Sequence, residues 1–472
     1  MTQATLIKNS NNGFHPSILR EYDIRGIIGE TLNNEDAFLL GQAFGTKVIQ
    51  QKGQNIFVAY DGRHSSPDLV KNLIEGLTST GCDVVDIGLG PSPMLYFAVK
   101  EMKADAGIMI TGSHNPSNYN GFKMMMGGKS VFGEDIQTLG QIASDGIFEK
   151  GTGSVSKKDV SQDYIARLLK DLSVDRELTI AWDNGNGASG NILKDLVSQI
   201  PGNHHLLYED VDGDFPNHHP DPTVDKNLED LISLVKEKNC DLGIAFDGDG
   251  DRIGVVDETG NIIRGDLLLS IYAKDILKKS SNKNIIADVK CSSLLFEEIK
   301  KLGGEPVMSQ TGHSLVKNKM LETNAPLAGE LSGHIFFNDI YYGFDDALYC
   351  AIRLINIVSH GIEPLSSYVS HFPKMFSTPE IRIDVPEEDK FNLIRSIEEN
   401  LESNPDIQAN TLDGVRVTTD EGWWLLRASN TQNCLVTRVE AKTQPGMQNL
   451  QSMVEEALKD VHIQFSFTGE TK

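Results

Sequence analysis

Three aspartates alternate with glycines in "FDGDGDR", at Asp247, Asp249 and Asp251. Carboxylates packed this closely repel one another, and a hard divalent cation is the usual remedy. The spacing also begins a calcium loop of the EF-hand kind, but Arg252 stands where that loop needs glycine, and the flanks look like strands. The segment therefore favours magnesium, held by few protein oxygens and completed by a phosphate. A solvated acidic turn is the alternative.

A second reactive candidate lies in "AGIMITGSHNPSNYNGFK", where Ser113 and His114 follow an apolar segment typical of a buried strand. A serine beside a histidine suggests a hydrolase. On an extended chain, however, adjacent side chains point in opposite directions. The pair therefore does not predict a catalytic triad, and the residues alone leave the role of the serine open.

The segment "GELSGH" sets Glu330, Ser332 and His334 at alternate positions. Alternation on a strand places side chains on one face, where these groups could bind sugar hydroxyls. An ordinary surface strand with one polar side would have the same pattern, and the segment by itself favours that structural interpretation.

A turn between two predicted strands carries a cluster of anion-binding groups. They are Arg427, Ser429, Asn430 and Thr431. A guanidinium fork, two hydroxyls, an amide and exposed backbone N–H groups suit a phosphate dianion. An ordinary polar hairpin is an equal alternative on this segment alone.

The glycines of "DNGNGASGN" match a dinucleotide-binding pattern at Gly185, Gly187 and Gly190, and Glu209 and Asp210 follow at the distance of a ribose-binding acid. This spacing would indicate a nicotinamide-dependent oxidoreductase. A tight turn from strand to helix explains the same glycines, and a dinucleotide site leaves the aspartate cluster unexplained. We prefer the structural turn.

Composition describes a soluble globular protein of 472 residues, with 39% hydrophobic and 23% charged residues. The formal net charge of -24 argues against nucleic acid and anionic membranes as partners, although a cleft can still be locally positive. We expect no signal peptide and no membrane span. Five scattered cysteines predict reduced thiols and a cytoplasmic location.

Strand-like and helix-like segments alternate through three blocks, which predicts α/β layers with largely parallel sheets. The tail differs, since "EIRIDV", a long amphipathic helix and two further strands indicate an antiparallel α+β unit. The predicted domains are 1–154 with the serine loop, 155–258 with the aspartate loop, 259–371 with the "GELSGH" loop and 372–472 with the arginine loop.

Together these motifs resemble the α-D-phosphohexomutases, most closely the phosphomannomutase/phosphoglucomutase branch. "TGSHNP", "DGDGDR", "GELSGH" and "RASNT" match the serine, metal, sugar and phosphate loops of the family in order, and "EYDIRG" resembles its opening motif. The resemblance implies three similar mixed-sheet α/β domains and a C-terminal TATA-binding-protein-like domain around a central cleft. It also implies that Ser113 is a phosphoserine that carries the phosphoryl group.

The resemblance further implies a reaction in which phosphate moves between C6 and C1 of a hexose through a hexose 1,6-bisphosphate. Magnesium would be held by the three aspartates and a phosphoserine oxygen, with Arg252 orienting these ligands or the phosphate. Lys123 would transfer protons, if neighbouring cations lowered its pKa. Arg25 and His114 would hold the reacting phosphate, although a structural donor within the loop is an equal alternative for His114. Glu330 and Ser332 would bind the sugar hydroxyls, and the Arg427 loop would bind the distal phosphate. Further substrate contacts are implied for Tyr22, Lys290, His313 and His334.

Leu331 stands where this branch commonly has methionine and glucosamine-specific relatives have glutamine. The leucine side chain has no polar atom that could recognise an amino group on the sugar, so mannose and glucose phosphates are the expected substrates. The alternatives are a phosphoglucosamine mutase, a metal-dependent sugar-phosphate phosphatase, and a non-catalytic sugar-phosphate binder. We expect a monomer, with oligomers left open.

Overall fold

The computed structural model describes residues 13–386, 388–402, 408–430 and 432–467. The chain forms two compact units, the first extending to residue 253 and including 346–359, and the second comprising the remainder. None of the helices in the described ranges has the length and apolar character needed to cross a bilayer.

A large mixed sheet forms the first part of the first unit. Its strands, in spatial order, are Ile24–Ile27, Tyr119–Met126, Ala106–Ile110, Asn55–Tyr60, Asp83–Leu89 and Val155–Lys157, with Lys129–Ser130 beside Tyr119–Met126. The last four of these six strands run parallel, whereas the first two pair antiparallel. The mixed sheet agrees with the predicted α/β class.

The second sheet of this unit is parallel in the order Leu242–Phe246, Leu178–Asp183 and Gly202–Leu207. The helices of the unit cover both sheets. They are Asn34–Gln50, Ser66–Ser79, Ser92–Glu101, Glu134–Asp145, Ser161–Leu169, Gly190–Val197, Glu229–Lys238 and Ala347–His360, with 3-10 turns at Pro16–Ile18 and Asp225–Leu228.

The second unit begins within the strand Ile253–Asp257, which pairs antiparallel with Ile262–Ile263. Its next sheet has the order Glu305–Ser309, Asn284–Asp288, Leu327–Gly329 and Ile335–Phe337, the last of which is antiparallel. The surrounding helices are Gly265–Lys279, Ser293–Lys301 and His313–Thr323, and a 3-10 turn follows at Leu365–Tyr368.

The C-terminal part of this unit is an antiparallel sheet with helices, as predicted. Its strands are Phe376–Ser377, Ile381–Asp384, Gln408–Asn410, Val415–Thr418, Gly422–Ala428 and Cys434–Ala441. The helices Lys390–Glu402 and Gln444–Asp460 pack on it through a core that includes Trp424, Leu426 and Leu450.

Two elements differ from the sequence-based domain ranges. The strand Val155–Lys157, placed in the second range, pairs with Asp83–Leu89 and so completes the first sheet. The helix Ala347–His360, placed in the third range, falls almost entirely in the first unit, where the Tyr164 hydroxyl donates to Asp346 at 2.9 Å. Both differences have one cause. The packing of a segment is decided by contacts with residues distant in the chain, and the turn-rich segments used to set the domain ranges do not reveal those contacts.

Candidate active site

The serine loop begins at the carboxyl end of Ala106–Ile110, beside the parallel strand Asn55–Tyr60. Ser113 is 2% exposed and has a left-handed backbone with φ of 50°. That conformation costs a non-glycine residue about 1–2 kcal/mol, and such strain is concentrated at functional sites. The Ser113 N–H donates to Thr111 Oγ1 at 2.7 Å, and Ser113 Oγ donates to Asp247 Oδ2 at 3.1 Å. The loop therefore aims its hydroxyl at the aspartate cluster.

The expectation that Ser113 and His114 point in opposite directions is wrong. Ser113 Oγ and His114 Nδ1 lie 3.3 Å apart. The left-handed backbone at Ser113 breaks the alternation that an extended chain would impose. The Ser113 hydroxyl and the His114 imidazole are therefore neighbours, which they would not be on an extended strand.

The aspartate loop joins the strands Leu242–Phe246 and Ile253–Asp257, as the sequence indicated. Asp247, Asp249 and Asp251 are fully buried, and their ligand atoms lie within 4.8 Å of one another. Within the described ranges, Oδ1 of Asp249 is buried without a hydrogen-bond partner. Three buried carboxylates, with this oxygen of Asp249 lacking a hydrogen-bond donor, fit the binding of a divalent cation.

Burial and charge move the pKa values of these aspartates in opposite directions. Burial, reinforced by Asp251 and Asp249, raises the pKa of Asp247 well above its usual range. Burial also opposes ionisation of Asp249, but the Lys123 ammonium and the Ser92 hydroxyl outweigh it and hold the pKa of Asp249 low. The Lys123 ammonium and the Ser92 hydroxyl therefore favour the ionised form of Asp249, whereas burial and the neighbouring carboxylates disfavour that of Asp247.

That ammonium belongs to Lys123, whose Nζ lies 2.7 Å from Asp249 Oδ2 and 2.5 Å from Asp251 Oδ2. Burial lowers the pKa of Lys123, but the coulombic pull of Asp249 and Asp251 raises it well above its usual value. The hypothesis that neighbouring cations lower this pKa is therefore wrong for this arrangement, because the nearest charges are anions.

Ser92 is a site residue that the motifs did not reveal. It begins the helix Ser92–Glu101, and its hydroxyl donates to Asp249 Oδ2 at 2.5 Å while its N–H donates to the Asp249 carbonyl at 2.8 Å. These two bonds fix both the side chain and the backbone of one aspartate. The local signal was available, since "GPSP" places a serine at a helix start after a strand.

The Arg25 guanidinium donates to the carbonyl of Gly112 at 2.9 Å and also contacts Asn115 and Asp23. In the described chain its Nε is buried without a hydrogen-bond partner, which leaves a donor for an anion. Tyr22, which is 9% exposed, lies two residues before the strand Ile24–Ile27 that contains Arg25. Arg252 Nε lies 4.0 Å from Asp247 Oδ2. Arg25 is thus placed at the serine loop and Arg252 at the aspartate loop.

Other protein atoms occupy the space beside the glycine turn that follows Leu178–Asp183. An added Cβ at Gly187 would lie 3.0 Å from the carbonyl oxygens of Asp247 and Gly248, and one at Gly190 would lie 2.0 Å from that of Glu209. Asp210 forms an ion pair with Lys194. The glycines serve close packing against the aspartate loop, which favours the structural turn over a dinucleotide site.

In the second unit, predicted residues follow three neighbouring strands. Lys290 comes after Asn284–Asp288, His313 after Glu305–Ser309 and Glu330 after Leu327–Gly329. The carboxyl ends of parallel strands lie at one edge of a sheet, so this edge gathers all three residues.

The proposed alternation of Glu330, Ser332 and His334 on a strand is wrong. Residues 330–334 form a turn between Leu327–Gly329 and Ile335–Phe337, with Gly333 at φ of 91°. Glu330 accepts from the Gly312 N–H at 2.7 Å, and burial raises its pKa. Ser332 remains partly exposed on the turn.

The two histidines share one buried carboxylate. Asp345 Oδ2 lies 3.0 Å from His334 Nδ1 and 3.5 Å from His313 Nδ1, and the imidazoles stack with centroids 5.4 Å apart. Lys317 Nζ lies 3.0 Å from Asp345 Oδ1. Burial opposes ionisation of Asp345, but Lys317 and the histidines hold its pKa well below the usual range. The sequence motifs did not reveal Asp345, because nothing in "FDDALY" indicates which residues it contacts.

Lys290 Nζ lies 3.1 Å from Glu380 and 3.7 Å from Asp288. Burial lowers its pKa, but the two carboxylates raise it above the ordinary value. Lys290 is therefore a buried ammonium, which suits the binding of an anionic or hydroxyl-bearing ligand.

The turn between Gly422–Ala428 and Cys434–Ala441 is present as predicted, but Arg427 lies in the first of these strands, opposite Val436, and not in the turn. Arg427 Nε donates to Asp413 Oδ2 at 2.9 Å, and the same oxygen accepts from the Thr311 N–H at 2.9 Å. Ser429 Oγ accepts from the Gln432 N–H at 3.1 Å, which shapes the turn. Asn430 is partly exposed, and the predicted Thr431 lies outside the described residues.

Four family models match the chain in succession. They describe the phosphoglucomutase/phosphomannomutase alpha/beta/alpha domain I at 16–149, domain II at 162–260, domain III at 264–376 and the C-terminal domain at 380–457. The chain therefore belongs to the phosphoglucomutase/phosphomannomutase family.

Relatives with curated names agree with this assignment. A phosphomannomutase/phosphoglucomutase of Pseudomonas aeruginosa is 44% identical over 445 residues, 94% of this chain and 96% of the relative. A phosphoglucomutase of Neisseria meningitidis is 42% identical over the same shares. A crystal structure of a phosphoglucomutase/phosphomannomutase family protein from Burkholderia thailandensis superposes with a TM-score of 0.89 at 41% identity, covering 95% of this chain and 98% of the other.

Proposed function

We propose that this chain is a phosphohexomutase that interconverts hexose 6-phosphate and hexose 1-phosphate, with mannose and glucose as the sugars. The observation that carries the proposal is the approach of Ser113 Oγ to Asp247, from a strained backbone, inside a buried cluster of three carboxylates. A hydrolytic triad does not need such a cluster, whereas a serine that carries a phosphoryl group needs a cation beside it.

The reaction begins with Ser113 phosphorylated. The bond between phosphorus and Ser113 Oγ breaks, and a new bond forms to the free hydroxyl oxygen of the sugar phosphate, which gives a hexose 1,6-bisphosphate. Overall, the sugar hydroxyl loses one proton and Ser113 Oγ gains one. The bisphosphate then turns over and returns its other phosphoryl group to Ser113, so that phosphate has moved between C6 and C1.

Asp247, Asp249 and Asp251, with an oxygen of the phosphoserine, would hold a divalent cation, for which Mg²⁺ is our choice. Such a cation neutralises charge on the transferring group. Ser92 holds Asp249 for this task by its two hydrogen bonds. Arg252 orients the cluster beside Asp247.

Lys123 Nζ is the group that we propose relays the proton. It is buried and bonded to two of the aspartates, so neutralisation of those carboxylates would remove the main cause of its raised pKa. Arg25, through its buried Nε, and His114, 3.3 Å from Ser113 Oγ, would hold the reacting phosphate.

Residues of the second unit supply sugar and distal phosphate binding in this proposal. Glu330 and Ser332 would accept and donate to the 3- and 4-hydroxyls, which are similarly placed in both orientations of the intermediate. The Arg427 loop, with Ser429, Asn430 and Thr431, would bind the phosphate that is not reacting. Tyr22, Lys290, His313 and His334 would make further substrate contacts.

The five cysteines are unbridged and buried, in keeping with the cytoplasmic location and reduced state that we propose. Monomeric assembly is likewise part of the proposal.

The test combines intact mass spectrometry with assays on three substrates. We expect one phosphate on Ser113, isomerisation of mannose and glucose 6-phosphates, and little release of inorganic phosphate. Preference for glucosamine 6-phosphate would indicate a phosphoglucosamine mutase. Phosphate release as fast as isomerisation would indicate a phosphatase, and protein that takes up no phosphate would overturn the carrier role.

A further inference from the structure

A buried ion pair lies directly behind the serine loop and has no part in the reaction as described so far. Arg63 is 1% exposed and Asp61 is 2% exposed. The two residues follow the strand Asn55–Tyr60, which is the parallel neighbour of the strand that leads into the serine loop. Their common sheet edge explains why the pair meets Ser113.

The Arg63 guanidinium is fully occupied by this loop and by Asp61. Its Nε donates to Asp61 Oδ2 at 3.0 Å. Its terminal nitrogens donate to the backbone carbonyls of Ser113 at 2.8 Å, Asn115 at 2.6 Å, Pro116 at 2.5 Å and Tyr119 at 3.0 Å. Guanidinium has five N–H donors, and these five acceptors match them one for one. No N–H remains for a phosphate or a sugar.

Asp61 completes the arrangement from the other side. Its Oδ2 also accepts from the Gly112 N–H at 3.0 Å, and its Oδ1 accepts from the Ser66 hydroxyl at 2.6 Å. An added Cβ at Gly112 would lie 2.3 Å from Arg63 Cζ, so the glycine in "TGSH" allows the guanidinium to reach the loop. Phe215 covers the guanidinium at 5.2 Å from Cζ to the ring centroid.

Burying a charged group is costly unless it is paired and its hydrogen bonds are satisfied. Here the four bonds of the terminal nitrogens are directed at one stretch of backbone, residues 113–119, that includes the left-handed Ser113. A rigid, planar fork can hold four carbonyls at once, whereas an ammonium offers three donors from a single atom. The arrangement therefore constrains the backbone of the serine loop.

We propose that Arg63, held by Asp61, is a positioning residue that fixes the backbone of the serine loop and so presents Ser113 Oγ to Asp247. The inference rests on the proposed function, because it assigns the transfer step to Ser113. Arg63 acts through the loop and does not bind substrate. Its loss should slow phosphoryl transfer and leave substrate affinity unchanged.

The first test compares R63K with the control R176K, in which Arg176 is a partly exposed arginine paired with Asp241. We expect R63K to lower kcat by about a hundredfold, as a displacement of about 1 Å does at a reacting centre, with KM changed by less than about twofold. R176K should match the wild type. Wild-type kcat in R63K, or a raised KM at wild-type kcat, would overturn the proposal.

The second test is independent of activity. Hydrogen exchange measured by mass spectrometry should show residues 112–119 exchanging at least about tenfold faster in R63K than in R176K, with the helix Ser92–Glu101 unchanged. D61N, which keeps the shape of Asp61, should give the same local change if R63K does not fold. Uniform acceleration across the chain would reduce Arg63 to a general stabilising role and overturn the inference. If the wild type isomerises no hexose phosphate, the proposed function is wrong. The exchange rates of R63K and R176K would still show whether Arg63 fixes the backbone of the serine loop.

Discussion

Ser113 Oγ donates a hydrogen bond to Asp247 Oδ2 at 3.1 Å, although 134 positions separate the two residues in the chain. The contact joins two loops that follow the carboxyl ends of strands in two different sheets. It places the oxygen that we propose as the phosphoryl carrier beside the proposed cation ligands.

Replacing Ser113 with alanine should lower isomerase activity by at least about a thousandfold, because the variant lacks the oxygen that carries the phosphoryl group. Intact mass spectrometry should find the variant unphosphorylated. S198A, at an exposed serine of the same unit, is the control and should match the wild type. Appreciable turnover by S113A would contradict the carrier role.

Removing divalent cations with a chelator should stop turnover, and added Mg²⁺ should restore it. D251N should require a higher metal concentration for half-maximal activity, and its kcat should be lower by about a hundredfold, because one charged ligand is lost. D195N changes an exposed aspartate and serves as the control. Full activity in the chelated enzyme would be incompatible with the metal assignment.

Ser92 should tune metal affinity without touching the metal. S92A removes the hydroxyl that donates to Asp249 and should weaken metal binding by about tenfold to a hundredfold, while S92T should retain most of the affinity. Titration calorimetry with the unphosphorylated protein measures this directly. Equal affinity in S92A and wild type would remove Ser92 from the site.

Arg427→Ala should raise KM for hexose phosphates by about tenfold to a hundredfold and affect kcat less, because a hydrogen bond to a charged group contributes about 1.5–3 kcal/mol. R395A, at an exposed position of the helix Lys390–Glu402, is the control. An unchanged KM in R427A would rule out the binding of the distal phosphate by this residue.

His218 makes stability depend on pH. Both ring nitrogens face acceptors, with Nε2 at 2.9 Å from Asp183 Oδ2 and Nδ1 at 3.0 Å from the His219 carbonyl. Burial lowers its pKa, but the hydrogen bond and charge of Asp183 raise it above the ordinary 6.5. The stabilising contribution is therefore complete below about pH 6.5 and is lost as pH rises through the folded-state pKa.

Urea unfolding at several pH values should show H218Q less stable than wild type by about 1 kcal/mol under acidic conditions, with the difference shrinking as pH rises. H371Q, at a more exposed histidine, is the control for the substitution itself. A destabilisation of H218Q that grows with pH would reverse the assigned sign.

The sequence alone determined the layered α/β class, the antiparallel C-terminal part, the loops that hold Ser113 and the three aspartates, and the turn that follows Arg427. Local pattern suffices there, because strand and helix periods are short and each of these loops follows a strand. It did not reveal Ser92, Asp345 or the Asp61–Arg63 pair, since their partners are distant in the chain.

Tertiary structure decided how those loops work. Lys123 meets Asp249 and Asp251 across more than 120 positions, and that contact raises its pKa where the motif suggested a lowered one. The left-handed backbone at Ser113 brings its hydroxyl to His114 and Asp247, against the expectation for an extended chain. Contacts of this kind depend on which strands become neighbours and on how a buried guanidinium satisfies its donors, and neither is encoded in local spacing.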